Sequence, residues 1–161
     1  MLQLRPIRRE DNSAVSQVIR TVMTEFHCVG EGFSINDPEV NDMHGAYPRP
    51  QAGFFVLTDP EDRIVGVGGY GPLTGGDGST CELRKMYLLP AARGQGAGLR
   101  LLQHCLQVAA GDGYERMYLE TVAGMKDAAA LYTRNGFTPL PGPLGSTGHC
   151  GCDRYMVRDL S

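Results

Sequence analysis

No stretch of this 161-residue chain approaches the roughly 18 uninterrupted apolar residues that a membrane-crossing helix requires. The segment from Met1 to Arg9 also lacks the apolar run of a secretory leader, so a soluble, cytoplasmic protein without a membrane partner is expected. Nor is there a strongly basic run: at a net charge of −3, the chain has little to offer the phosphates of a nucleic acid, and none is expected as a partner. The five cysteines are odd in number and have no export signal, which favours free thiols over a disulfide framework. Internal repeats and interdomain linkers are missing as well. With 42% hydrophobic residues, the chain is long enough to bury one substantial core, so a single domain over residues 1–161 is expected.

What is present alternates between strand and helix. Leu2 to Ile7 reads as a first strand, with Pro6 marking it as an edge. Val15, Val18, Ile19, Val22, Met23 and Phe26 then repeat at helical spacing behind Asp11 or Asn12 as a cap. His27 to Gln51 is irregular, rich in Gly and Pro, with one short helix expected near Pro38 to Met43. Phe54–Thr58 and Ile64–Tyr70 flank the turn composition Asp59-Pro60-Glu61-Asp62 and predict a hairpin. A strand follows at Cys81–Leu89. In it Leu83 has one parity and Met86 and Leu88 the other, so all three reach one core only across a β-bulge, placed near Lys85. Beyond Pro90, Gly94, Gly96 and Gly98 open a helix with Leu99, Leu102, Leu106 and Ala109 on its stripe, ending near Gly111 and Gly113. Tyr114–Thr121 is a strand, Lys126–Asn135 a helix stopped by Gly136, and Phe137–Leu140 and Cys150–Val157 are the last strands, separated by a surface loop at Pro139–Gly148. This order implies an α/β (mixed α+β) fold, one mixed sheet flanked by helices.

A strand, a loop bearing Arg93 and three glycines, and a helix make a device for holding an anion. First-turn amides have no partner within the helix and sit at its positive end, while glycine lets a bulky phosphate approach the backbone. The order Gly94-x-Gly96-x-Gly98-Leu99 fits neither the dinucleotide fingerprint Gly-x-Gly-x-x-Gly nor a P-loop, which needs Lys-Ser or Lys-Thr after its last glycine. Instead, Arg93-x-x-Gly96-x-Gly98, preceded by Met86-Tyr87-Leu88-Leu89-Pro90, resembles the acetyl-CoA motif of the GNAT superfamily of N-acetyltransferases. The resemblance continues through Leu119-Glu120-Thr121 to the segment from Ala128 to Phe137, so that it covers Cys81 to Phe137, about a third of the chain.

The resemblance implies a mostly antiparallel sheet of about six to seven strands with a splayed central strand pair. Backbone amides of Arg93, Gly94, Gln95, Gly96, Ala97 and Gly98 would then hold the diphosphate of acetyl-CoA, and main-chain groups of Met86, Tyr87 and Leu88 would pair with its pantetheine arm. Met125 departs from the pattern, standing where many members carry Asn at the rim of the channel. The implied activity is transfer of acetyl from acetyl-CoA directly to a primary amine, on a small molecule or a protein, without a metal; homodimers are common among such proteins.

That chemistry needs a base to deprotonate an ammonium, donors for an oxyanion, and an acid to reprotonate a thiolate. Glu82, eleven residues before Arg93, stands where members often carry a catalytic carboxylate, and a burial-raised pKa would suit it as the base; the alternative is a strand residue paired with Arg84 or Lys85. By the same resemblance Tyr132, one turn beyond Ala128, stands at the superfamily's usual general-acid position, the alternative being a packing tyrosine. An amide freed near Met86 or Tyr87 would serve the oxyanion. Phe33, Asp37, Glu39, Asp42, Tyr47 and Arg84 are candidates to line an acceptor pocket, their acids matching an ammonium, or else are solvated loop residues.

Competing readings are a CoA-binding sensor without turnover, a longer acyl donor, a cysteine nucleophile at His27-Cys28 or His149-Cys150, and a metal site at His149-Cys150-x-Cys152-Asp153. Adjacent residues in a strand face opposite ways, which argues against the dyads. A single ligand cluster is short of the two separated pairs usual for zinc.

Overall fold

The computed structural model describes residues 1–160. A seven-stranded sheet in the order β1-β2-β3-β4-β5-β7-β6 forms its centre, from β1 (Gln3–Pro6), β2 (Gly53–Thr58), β3 (Ile64–Pro72), β4 (Thr80–Leu88), β5 (Arg116–Thr121), β6 (Thr138–Leu140) and β7 (Arg154–Asp159). Every neighbouring pair is antiparallel except β4 and β5. The mostly antiparallel sheet that the resemblance implies is therefore present, and Pro6 lies on an edge strand, where its missing N–H breaks no interior ladder.

Helix α1 (Asn12–Glu25) buries Val15, Val18, Ile19, Val22 and Met23 against one face of the sheet, in a cluster with Phe54, Val56 and Val67. The other face carries α3 (Ala97–Gly111) and α4 (Lys126–Arg134), packed on Phe55, Leu57, Leu83 and Leu119. The α3 stripe differs from the expected one: Leu101, Leu102, Cys105, Leu106 and Ala109 are buried, while Leu99 is half-buried. The closely spaced leucines fit two overlapping stripes, and the direction in which the preceding loop launches the helix selects between them. Each fully buried leucine contributes roughly 2–3 kcal/mol.

The irregular segment after α1 holds 3-10 turns at Ser34–Asn36 and Pro38–Asn41 and a single-turn helix α2 (Met43–Ala46). The expected short helix is thus split at Asp42, whose carboxylate leaves the first piece to accept the Gly45 amide of the second at 3.0 Å. Asp11 does stand at the α1 N-terminus, yet its carboxylate takes the Arg8 amide (2.7 Å) and the Arg5 guanidinium rather than an amide of the helix. The last strand begins at Arg154 instead of Cys150, because the preceding residues turn and are engaged elsewhere, with the Gly151 amide on the Gly32 carbonyl at 3.0 Å.

The bulge stands where side-chain parity places it. On β3 the register runs from Val67 to Gly69, opposite Tyr87 and Arg84, so β4 carries one extra residue, and Lys85 has φ +51°. Leu83, Met86 and Leu88 consequently all join the core on the α3 side, while Arg84 and Lys85 turn together to the α1 side. Among the described residues no helix is long and apolar enough to cross a membrane.

Candidate active site

Strands β4 and β5 pair at only three positions, Thr80 with Arg116, Cys81 with Met117 and Glu82 with Tyr118. Beyond Glu82 they diverge, and the bulge bends β4 further from its neighbour. The result is a wedge-shaped slot through the sheet, lined by Glu82, Met86 and Tyr87 of β4, Leu119 and Glu120 of β5, and Tyr132 of α4. From Leu83 to Leu88, the β4 edge facing β5 has no strand partner, so its main-chain groups are available to an extended ligand.

At the α3 end of this slot lies the glycine loop. A 3-10 turn at Pro90–Ala92 leads into Arg93, and Gly94 and Gly96 adopt φ of +76° and +75°, a conformation that costs any residue with a Cβ about 1–2 kcal/mol. No amide from Gly94 to Gly98 finds a backbone acceptor among the described residues, and a Cβ added at Gly94 or Gly96 would meet nothing within 4 Å. The loop therefore exposes bare N–H groups at the positive end of a 15-residue helix. The Arg93 side chain does not cover them: its guanidinium donates to both oxygens of Glu25 at 2.8 Å and to the Leu88 carbonyl at 2.9 and 3.1 Å, pinning the strand end to α1.

The α1 side of the slot is polar and dense with charge. Glu82 is 4% exposed and accepts a hydrogen bond from Arg84 Nε at 2.9 Å, so the strand pairing weighed from the sequence is present and the carboxylate still borders the slot. Burial pushes its pKa above the usual range, against the pull of Arg84. Glu120 goes the other way. Although burial opposes it, the His149 ring beside it and the hydrogen bonds from Thr147 (2.6 Å) and Tyr118 (2.7 Å) hold its carboxyl below the usual range. Two neighbouring carboxylates thus have proton affinities driven apart, the pattern of an acid–base site.

His149 sits between Asp37 and Glu120, with Nε2 at 2.9 and 3.1 Å from the Asp37 oxygens and Nδ1 at 3.6 Å from Glu120. These carboxylates raise its pKa to about 9, Asp37 contributing most. Ligand-type atoms of Glu82, Glu120 and His149 come within 4.8 Å of one another. The cluster His149-Cys150-x-Cys152-Asp153, weighed as a competing metal reading, does not assemble: Cys150 is exposed, whereas Cys28 and Cys152 line the slot as thiols whose pKa burial raises, that of Cys152 to about 12.

Of the acceptor-pocket candidates, Phe33 and Arg84 line the slot. Asp37 and Glu39 have a different occupation from the one expected. Their carboxylates hold the buried Lys85 ammonium at 3.0 and 2.9 Å, and Glu39 also accepts from Tyr47 Oη at 2.5 Å. An internal amine already fills the place imagined for the substrate. Asp42 lies away from the slot, bonded to Asn12 and Gly45.

Tyr132 is 6% exposed, packed edge-on against Phe137, and its hydroxyl makes no hydrogen bond to the described residues. It opens on the slot instead, its pKa raised by burial. Glu120 received no catalytic role from the sequence, and His149 only one within the competing cysteine and metal readings. For Glu120 a signal existed, its place at the end of the strand beside the slot; for the placing of His149 between Asp37 and Glu120 none did.

Residues 19–137 match the model of the acetyltransferase (GNAT) family. The chain is 39% identical over 158 residues, 98% of its length and 94% of the other's, to an uncharacterized N-acetyltransferase, YjgM, of Escherichia coli K12. Among solved structures, an acetyltransferase of the GNAT family from Staphylococcus aureus Mu50 superposes with a TM-score of 0.87 at 21% identity, over the whole of both chains. N-acetylglutamate synthase from Neisseria gonorrhoeae, complexed with coenzyme A and N-acetyl-glutamate, gives a TM-score of 0.72 at 16% identity over all of this chain and 35% of that one.

Proposed function

The chain belongs to the GNAT family of acetyltransferases, and from that premise we propose that it moves an acetyl group from acetyl-CoA directly to a primary amine, within a ternary complex at the β4–β5 slot. The observation that carries this reading is the pairing of an open, amide-lined glycine loop with a strand edge left free by the bulge. A diphosphate fits the first and an extended amide-bearing arm fits the second. When bound, acetyl-CoA supplies the activated thioester.

The protein groups divide the remaining work. Amides from Arg93 to Gly98 hold the diphosphate, and main-chain groups of Met86, Tyr87 and Leu88 hold the arm, one of the amides near Met86 also serving the oxyanion; one such donor is worth roughly 3 kcal/mol. Glu82, with its raised pKa, takes the proton from the acceptor ammonium, directly or through a water. Glu120 stays ionised beside it and attracts that ammonium. Tyr132 Oη, which has no protein partner to give up, returns a proton to the departing sulfur. Direct transfer is favoured over a cysteine intermediate because Cys28 and Cys152 are held as thiols by burial, while the ring of His149 is engaged by two carboxylates and activates neither.

The experiment is a thermal-shift measurement with acetyl-CoA, followed by thiol release with a panel of polyamines, amino acids, aminoglycosides and peptide N-termini. A raised melting temperature and release with at least one amine support the proposal. Binding without release on any amine would favour a sensor, and no shift with either acetyl-CoA or CoA would remove the basis of the reading.

A further inference from the structure

Two loops distant in sequence form a roof over the α1 side of the slot: the segment at residues 30–41 and the one at residues 141–153. Each is fastened to the sheet beneath it. Lys85 of the bulge holds Asp37 and Glu39 of the first, while Tyr118 Oη accepts the Leu144 amide at 3.1 Å and Glu120 accepts the Thr147 hydroxyl of the second. The loops also meet one another. Gly151 N–H donates to the Gly32 carbonyl, and Gly151 lies so close to the Phe33 ring that a Cβ there would stand 2.7 Å from the nearest ring carbon. The one ionic link between them joins residues 112 apart in sequence, His149 to Asp37.

We propose that His149 is a positioning residue for acetyl transfer: as an imidazolium it bridges Asp37 of the first loop and Glu120 of β5, and so holds the roof in register over the two slot carboxylates. Nε2 hydrogen-bonds Asp37 at 2.9 Å and Nδ1 stands at ion-pair distance, 3.6 Å, from Glu120, an arrangement that favours the doubly protonated ring. The groups facing it are Asp37 with its Lys85 partner, Glu120, and Glu82 with its Arg84 partner, and the carboxylates outnumber the cations in direct reach of the ring. With a pKa of about 9, the ring is already charged at neutral pH and takes no proton from the acceptor. Its part is to hold the acceptor side in place and to keep Glu120 ionised.

This inference deepens the proposed function and rests on it, so its test uses readouts that need no acceptor. NMR titration of the full-length wild type is expected to show the His149 ring changing charge near pH 9, and Asp37→Asn is expected to move that midpoint down toward the ordinary value of about 6.5. Backbone hydrogen exchange at residues 30–41 and 144–152 is expected to quicken about tenfold or more in His149→Gln and in Asp37→Asn, with residues 93–98 unchanged. A wild-type midpoint near 6.5, or unchanged exchange in both loops of a folded variant, overturns the proposal. Stabilisation of the wild type by acetyl-CoA is scored separately, and its absence would count against the family chemistry without touching the His149 midpoint.

Discussion

Replacing Tyr132 with Phe separates a catalytic tyrosine from one that only packs. The ring is buried against Phe137, and the hydroxyl has no hydrogen-bond partner among the described residues, so removing its oxygen leaves no polar group orphaned and opens no large cavity. The stability cost should stay within about 0.5 kcal/mol, or about 2 °C in melting temperature for a chain of this length. Catalysis should respond quite differently. General-acid assistance is worth roughly 10²–10⁴ in rate, about 3–5.5 kcal/mol of activation free energy. Because the proton moves only as the thiolate departs, kcat should fall while the KM values for acetyl-CoA and amine stay near wild type. The assay is thiol release at saturating acetyl-CoA with the best amine of the panel, alongside a melting curve. A fall of less than about threefold, or a fall that tracks a lost melting temperature, would return Tyr132 to a packing role.

Glu82→Gln should lower the rate at neutral pH by about 10²-fold and abolish the acidic limb of the pH–rate profile; a base must be ionised, so its raised pKa places that limb above the usual glutamate range, and an unaltered profile would dismiss Glu82. Gly96→Ala meets open space but must hold φ near +75°, so about 1–2 kcal/mol of stability should be lost together with most of the acetyl-CoA-induced thermal shift; a full shift would contradict the anion-binding role of the loop. His149 has a folded pKa raised to about 9, so its stabilising contribution is complete below its unfolded value and fades as pH rises through 9. After discounting a half-buried pair for solvent screening, the loss between pH 6.5 and 9.5 should be about 1–2 kcal/mol, and it should be absent in His149→Gln; equal melting curves for the two proteins across that range would refute it.

Most of the fold was legible because local rules and tertiary structure agree. The α1 stripe, the Asn135-Gly136 stop and the parity break between Leu83 and Met86 each have one physical solution, and each stands where expected. The glycine loop was legible for the same reason, since its spacing states what the backbone must do. The acceptor side was not. Sequence marks Asp37 and Glu39 as acids in a loop, yet only the bulge, by turning Lys85 to the same face as Arg84, supplies the ammonium that occupies them. His149 comes to Glu120 because β7 pairs with β5 and carries its preceding loop across the slot, a long-range consequence of strand order that no local pattern encodes. The misplaced start of β7 has the same origin: residues read as strand from their composition are held instead by the opposite loop.

The central claim is that a thioester carrier seats its diphosphate on the bare amides between Arg93 and Gly98 and threads its arm between β4 and β5. The most direct measurement is amide NMR of the full-length chain titrated with acetyl-CoA and, separately, with CoA. Both should move the resonances of Gly94, Gln95, Gly96, Ala97 and Gly98 together with those of Met86, Tyr87 and Leu88. Saturable shifts confined to other parts of the chain, or none at all, would contradict it.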